Sequence, residues 1–311
     1  TLGIFLALGI FLSFQYRFRK LRILAASVSG IILVVFASQS SLAVFSDSSF
    51  YSKPLSIINC DVGQGDSLVI SSRNKVAVLD VGRENPAIDI CLTKLGISEI
   101  DLLILTHYDM DHIGGVVGAV SGRQVSQVMV SGFRDDRPGA RFAEDYLSGL
   151  NIPIAKAETG MTGVLGNYSW EVLSPHRNAA EAEDSNDGSI SMLWLDKQIA
   201  LVTLADLGER GQLRVGAEAE TKLTTGFGNR TVVVKVAHHG SADQSPEFYE
   251  GLRPAVALIS VGERNSYGHP TSRALSIFEH LGGKVLRTDT SGALGLEETT
   301  EGLKLWVSGR S

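Results

Sequence analysis

The alternation of apolar and polar positions divides the chain into short elements. "SIINC" (56–60), "SLVIS" (67–71) and "KVAVLD" (75–80) are β-branched runs separated by "DVGQGD" and "SRN", which predicts an antiparallel meander. "AIDICLTKLG" predicts a short helix ending at Gly96, "DLLILT" (101–106) a buried strand, and "HIGGVVGAVSG" a helix from about His112. Downstream, "QVMV" and "YSWEVLSP" read as strands, with the helix "GARFAEDYLSGL" between them. "ISMLWL" and "IALVTLAD" make a hairpin. "RTVVVKVAHHGS" is a strand running into a turn, and "AVALISVG" a strand between the helices "SPEFYEGLRP" and "TSRALSIFEHLG". The strands "KVLRT", "GALGLE" and "LKLWV" close the chain. Strands come first and strand–helix alternation follows, in two successive halves. Two mixed sheets packed on each other with helices outside, an αββα sandwich of the α/β class, accommodate that order.

Upstream the pattern changes. The first fourteen residues carry no charge, "QYRFRKLR" follows, and a second uncharged run of 24 residues extends from Ile23 to Ser46. Such a length suffices to span a bilayer as a helix. A basic cluster before an apolar run also fits a signal peptide, but the apolar segment ahead of the cluster and the length of the second run favour a multi-pass membrane protein. The expected layout is a truncated transmembrane helix at 1–14, a basic cytoplasmic connection at 15–22, a transmembrane helix at 23–46, and one domain over 53–311. Arg17, Arg19, Lys20 and Arg22 place the connection in the cytoplasm. The domain then lies outside the cell membrane, extracellular or periplasmic.

Charge narrows the partners. Removing those four positive charges from the formal net charge of −6 leaves −10 on residues 47–311, unlike the basic patch of a nucleic-acid groove. The strip "SGFRDDRPGAR" offers Arg134, Arg137 and Arg141 beside the region of the polar motifs. Cys60 and Cys91 lack Cys-x-x-Cys spacing, so they are not read as a metal site. An oxidising compartment permits a disulfide between them, but the place of Cys60 in an apolar strand favours a buried thiol.

Candidate chemistry gathers just past strand ends, where ligand sites form. Asp80 ends "VAVLD", His107 follows "LLILT", Asp206 ends "ALVTLAD", His238 and His239 follow "VVVKVA", and His269 lies in "YGHP". Any one of these alone reads as a capping or loop residue. His107, Asp109, Asp111 and His112 together form His-x-Asp-x-Asp-His, able to serve two neighbouring metal positions from one turn. Asp206 ends an apolar strand, where a charge is costly unless paired or metal-bound; bridging two metals is its natural role.

"DVGQGDS", "LTHYDMDHIGG", "VAHHGSADQS" and "VGERNSYGHP", in this order and spacing, resemble the metallo-β-lactamase domain of the ComEC family, the inner-membrane channel proteins of bacterial natural competence. The likeness covers about residues 53–311. It implies a metallo-β-lactamase-like αββα sandwich preceded by transmembrane helices, with two divalent metal ions. Carried over by position, His107, Asp109, Asp111, His112, Asp206 and His269 are the metal ligands. Asp111, His238 and His239 are catalytic, Asp66, Asp80 and Ser241 support them from behind, and Asn265 and Tyr267 face substrate. The wider superfamily has histidine where Asp109 stands, and commonly a further histidine before Asp206; "SNDGSIS" offers only Asn186 or Ser189 there. Oxygen donors harden the site, which favours Mn²⁺ over Zn²⁺. Ala205 stands where the family pattern has glycine.

The resemblance further implies a deoxyribonuclease acting on the DNA strand that is not imported. Its partners would be DNA, the membrane, the rest of the channel and other competence proteins. The alternatives are a non-catalytic DNA-binding or gating domain, and a hydrolase of a small phosphodiester or ester.

Overall fold

A computed structural model of the chain describes residues 42–175 and 182–310. The expected segments 1–14 and 15–22, and 23–46 up to Ser41, lie outside the described residues. The tail of the last one is not helical: Val44–Ser46 forms strand β1. Among the described residues, no helix is long and apolar enough to cross a membrane.

The meander follows as β2 (Ile57–Asn59), β3 (Leu68–Ser72) and β4 (Lys75–Leu79), all antiparallel. Next come a short pair, β5 (Glu99–Ile100) and β7 (Gln124–Val125), and the parallel strands β6 (Leu102–Leu105), β8 (Val128–Val130) and β9 (Ile154–Lys156). The second half supplies β10 (Thr162–Leu165), β11 (Tyr168–Ser174), β12 (Ser191–Leu195) and β13 (Ile199–Thr203), antiparallel in turn. The parallel strands β14 (Thr231–Lys235), β15 (Val256–Ile259) and β16 (Lys284–Arg287) continue it. The last hairpin, β17 (Leu294–Thr299) and β18 (Gly302–Val307), returns to the first sheet beside β2. The nine-stranded sheet therefore runs β1-β18-β17-β2-β3-β4-β6-β8-β9, and the seven-stranded sheet β10 to β16 in order.

Both faces of each sheet are buried, which explains the nearly continuous apolar strands. Val69, Val78, Leu103 and Val130 pack in one cluster with Ile88, Leu92, Ala119 and Leu147 from the helices Asn85–Lys94, Val116–Val120 and Pro138–Gly149. Val202, Val234 and Ile259 do the same with Val215, Phe248 and Phe278 from Glu209–Glu218, Pro246–Leu252 and Ser272–Leu281. The residues of opposite parity, among them Ile70, Leu79, Ile104, Trp194, Leu201 and Leu258, are buried as well. The sheets meet across these faces: Tyr168 on β11 donates to Glu298 on β17 at 2.8 Å. The αββα architecture holds.

Two expectations are corrected. The helix from His112 is broken into Met110–Ile113 and Val116–Val120 at Gly114 and Gly115. A Cβ on Gly115 would lie 2.1 Å from the Val81 carbonyl oxygen, so the loop after β4 presses on a backbone that only glycine leaves open. Cys60 is not a thiol either: it is bridged to Cys91, with the Cα atoms 6.1 Å apart. Pairing was hidden because the partner sits 31 residues away on the helix Asn85–Lys94, which the β2–β3 loop reaches only in the fold. Closing a loop of that length contributes roughly 3–4 kcal/mol on the chain-entropy account.

Candidate metal centre

Loops at one end of the two sheets bring the motifs together. Asp206, 3% exposed, is the hub. Its Oδ1 lies 3.3 Å from His112 Nε2, and its Oδ2 lies 3.9 Å from His107 Nε2, 3.6 Å from His239 Nε2 and 3.7 Å from His238 Nε2. Asp111 Oδ2 approaches His239 Nε2 at 3.4 Å. Ligand atoms of His107, His112 and Asp206 fall within 4.8 Å of one another, as do those of Asp111, His112 and His239.

Three imidazoles are pinned from behind. Thr106 donates its hydroxyl and its N–H to Asp80, each at 2.8 Å, leaving Thr106 Oγ1 to accept from His107 Nδ1 at 3.1 Å. His112 Nδ1 donates to Asp80 at 2.8 Å, and His239 Nδ1 donates to the Ser260 carbonyl at 2.9 Å. Every Nδ1 is thus spent on an anchor, which turns each Nε2 lone pair forward, the arrangement that orients metal-ligating histidines. The Nε2 atoms of His107, His112 and His239 and Asp206 Oδ1 are buried and have no hydrogen-bond partner. Buried polar atoms are seldom left so. Gathered in overlapping trios, these atoms fit divalent cations with a mixed nitrogen and oxygen donor set.

The charges agree. Burial opposes a charge on His239, but Asp206 and Asp66 outweigh it and push its pKa up to about 10. His112 is likewise held well above the ordinary histidine value by Asp206 and Asp80 against its burial. His107 goes the other way, lowered by burial and by the positive neighbour His112. Asp206 and Asp111 both stay below the usual carboxylate range despite burial, through His112 and His239. A metal ion would take the place of those protons, since ligation needs neutral imidazole.

The turns are strained where they aim these groups. Asp80, Ala205, His238 and His239 have φ of 60°, 47°, 47° and 53°. Ala205 therefore occupies a left-handed position that suits the expected glycine. Behind His239, Lys235 Nζ (3% exposed) holds Asp66 Oδ2 at 2.7 Å, and Asp66 Oδ1 stands 3.2 Å from His239 Nδ1.

Other candidates lie differently. Asp109 is absent from the converging groups: its Oδ1 accepts from Arg137 Nη2 at 2.6 Å. The expected ligand His269 stands further out, its ring centroid 5.6 Å from His238 and 6.5 Å from His239, with a buried, unpartnered Nδ1. His239 occupies the inner position instead. Asn265 bonds the Gly262 and His269 carbonyls and the His269 N–H, so it clamps its own loop. Tyr267 is 58% exposed and stacks on His269 at 5.9 Å, free to meet a ligand. Ser241 Oγ accepts from the Asp243 N–H at 3.3 Å and shapes the turn. Asn186 Oδ1 and Ser189 Oγ are buried without partners, in the loop whose Ile190 N–H bonds the Thr106 carbonyl at 2.9 Å. Arg134 and Arg141 each lie 3.5 Å from Asp136, so these arginines are not a free basic strip. Lys235 and Thr106 were missed, although a lysine interrupting the apolar run "VVVKVA" was a visible signal.

Residues 60–178 match the Metallo-beta-lactamase superfamily. The chain is 28% identical over 263 residues to ComE operon protein 3 of Bacillus subtilis (strain 168), covering 75% of this chain and 32% of that protein. It is 29% identical over 240 residues to Competence protein ComA of Neisseria gonorrhoeae, covering 75% and 31%. The likeness to the ComEC family read from the four motifs holds against both. The chain spans about a third of the length of these relatives. Among solved structures, CmlA, a diiron β-hydroxylase from Streptomyces venezuelae, aligns with TM-score 0.52 at 14% identity over 76% of this chain and 53% of its own. YhfI from Bacillus subtilis, a metallo-β-lactamase fold protein, aligns with TM-score 0.50 at 10% identity over 76% and 98%. These two likenesses establish the fold alone.

Proposed function

We propose that this chain is the metal-dependent phosphodiester hydrolase of a membrane DNA-uptake channel, a deoxyribonuclease that degrades the strand left outside. The observation that carries the hydrolase part is the set of three back-anchored histidines whose buried Nε2 atoms converge with Asp206 and lack partners. The two competence relatives support the setting. A disulfide supports an oxidising compartment, and with it an extracellular or periplasmic domain.

Two ions would be held by His107, His112, Asp206, Asp111 and His239, with Ser189 or Asn186 at the position of the missing imidazole. Carboxylate and hydroxyl donors suit Mn²⁺, while three imidazoles keep Zn²⁺ in competition. Bound there, the ions would supply Lewis acidity, lowering the pKa of water and neutralising phosphate oxygens. Asp111 orients the attacking water through its free carboxylate oxygen. His238, with 31% of its side chain exposed and its Nε2 toward Asp206, is placed to hand a proton to the leaving 3′-oxygen. His239 is enclosed on both ring nitrogens and serves as ligand. The −10 charge calls for local sign reversal by the ions and a weak, salt-sensitive grip.

The test uses the chain purified in detergent and stripped of metal. Mn²⁺, Mg²⁺ or Zn²⁺ is added in turn and cleavage of labelled single- and double-stranded DNA followed. Cleavage is expected with Mn²⁺ and is abolished in Asp111→Ala. Metal-loaded protein that cuts neither DNA form would move the reading to DNA binding or gating.

A further inference from the structure

A series of stacked rings leads from solvent to the buried centre. Tyr267, 58% exposed, stacks on His269 with the ring centroids 5.9 Å apart and the planes 28° from parallel. His269, half-buried, stacks in turn on His239 at 6.5 Å and 26°, and His239 is 2% exposed. Offset stacking of this kind occupies one face of a terminal ring. The inner face of Tyr267 is therefore spent on His269, and the outer face meets solvent. The loop that carries it is fixed. The Asn265 amide donates to the Gly262 and His269 carbonyls at 2.9 and 2.8 Å, and its Oδ1 accepts from the His269 N–H at 3.0 Å. Tyr267 stands inside that clamp, so its ring is presented in advance of any ligand and little ordering is left to be done on binding.

The charge of the domain favours a grip of this kind. Residues 47–311 carry −10, and Arg134, Arg137 and Arg141 are already paired with Asp109, Asp135 and Asp136. A nucleobase is neutral and every base has a π-face, so stacking holds a strand without further cations and without reading sequence. Inside a duplex both faces of a base are covered by its neighbours, and only an unpaired base can be splayed onto a ring. We propose that Tyr267 is a specificity-determining residue whose outer face stacks an unpaired base of the substrate, so that the centre takes single-stranded DNA in preference to duplex. This rests on the reading of DNA as substrate given above and names the form of DNA that the site accepts.

The test reads binding, with cleavage scored apart. The chain is purified in detergent, stripped of metal, and mixed at low ionic strength with fluorescent oligothymidine, an abasic strand of the same length, or a duplex, and affinities are taken from anisotropy. Wild type is expected to hold oligothymidine roughly fivefold or more tighter than the abasic strand or the duplex, the low end of base–aromatic stacking. Tyr267→Phe keeps that preference and Tyr267→Ala loses it. Both variants keep wild-type Mn²⁺ affinity in calorimetry, which separates a platform for a base from a prop for His269. Equal affinities in wild type, a preference that survives Tyr267→Ala, or a Tyr267→Ala chain that has also lost Mn²⁺ affinity overturns the proposal. DNA cleavage by a chain indifferent to bases leaves the nuclease standing without the platform. Base-dependent binding without cleavage under any metal keeps the platform and sinks the nuclease.

Discussion

Two carboxylates flank the centre, and each is held by a cation: Asp66 by Lys235 at 2.7 Å, and Asp109 by Arg137 at 2.6 Å. The distances nearly coincide, yet the surroundings do not. Lys235 and Asp66 have side chains 3% and 5% exposed, whereas Arg137 and Asp109 are 53% and 32% exposed. Inside, neither charge has water to turn to, so the pair is permanent and Asp66 serves as the fixed wall behind His239. Outside, both charges can be solvated and the pair is worth little, while Arg137 is fixed by the neighbouring Asp135 carboxylate. Burial rather than distance separates a fixed support from a solvated pair.

The comparison breaks first at Lys235. Lys235→Ala leaves Asp66 charged and buried, and is expected to cost about 3–5 kcal/mol in urea unfolding of the metal-free protein; a cost below about 1 kcal/mol would put this pair in the same class as a surface one. Replacing both partners, Lys235→Met with Asp66→Leu, restores most of that stability. Because His239 loses part of its anchor, Mn²⁺ affinity in the same double variant falls about tenfold or more, read by calorimetry.

Acid reaches the buried pair without mutation. Burial raises the Asp66 pKa, but Lys235 and His239 overcome it and hold the group below its ordinary value of 3.8. Its contribution is complete above that value and is lost as pH falls below it toward the folded-state pKa. The urea midpoint of metal-free wild type therefore drops more steeply as the pH falls below about 4 than that of the double variant.

Between the two pairs, Ala205→Gly relieves a left-handed alanine at φ 47° and is expected to add about 1 kcal/mol to thermal stability without altering Mn²⁺ affinity. The smallest effect belongs to Asp109→Asn, which removes only the exposed pair with Arg137, under about 1 kcal/mol and shrinking with salt. A loss as large as that of Lys235→Ala would erase the contrast.

Much of this was legible because it is local. The strand runs have period-two burial or continuous apolarity, and His107, Asp111, His112 and Asp206 declare themselves by standing at strand ends. What stayed hidden depends on distance along the chain. Lys235 and Asp66 are 169 residues apart, and Cys60 finds Cys91 only after the β2–β3 loop meets a helix. β1 sits in an uncharged run that reads as helix, and its strand character comes from parallel pairing with Leu305–Val307 at the far end of the sequence. His239 and His269 each follow a strand, and nothing in either motif says which imidazole lies inward. In the fold the Ser260 carbonyl anchors His239, and the His269 ring stands 5.6 Å from His238 and 6.5 Å from His239.

The Cys60–Cys91 bridge also carries a schedule. It joins the start of the loop bearing Asp66 to the helix that follows the loop bearing Asp80, so the two walls behind the histidines are stapled together. Thiols are kept reduced in the cytosol and oxidise beyond it. A chain kept in a reducing space would thus lack its staple, and the centre would reach its full rigidity only in an oxidising one.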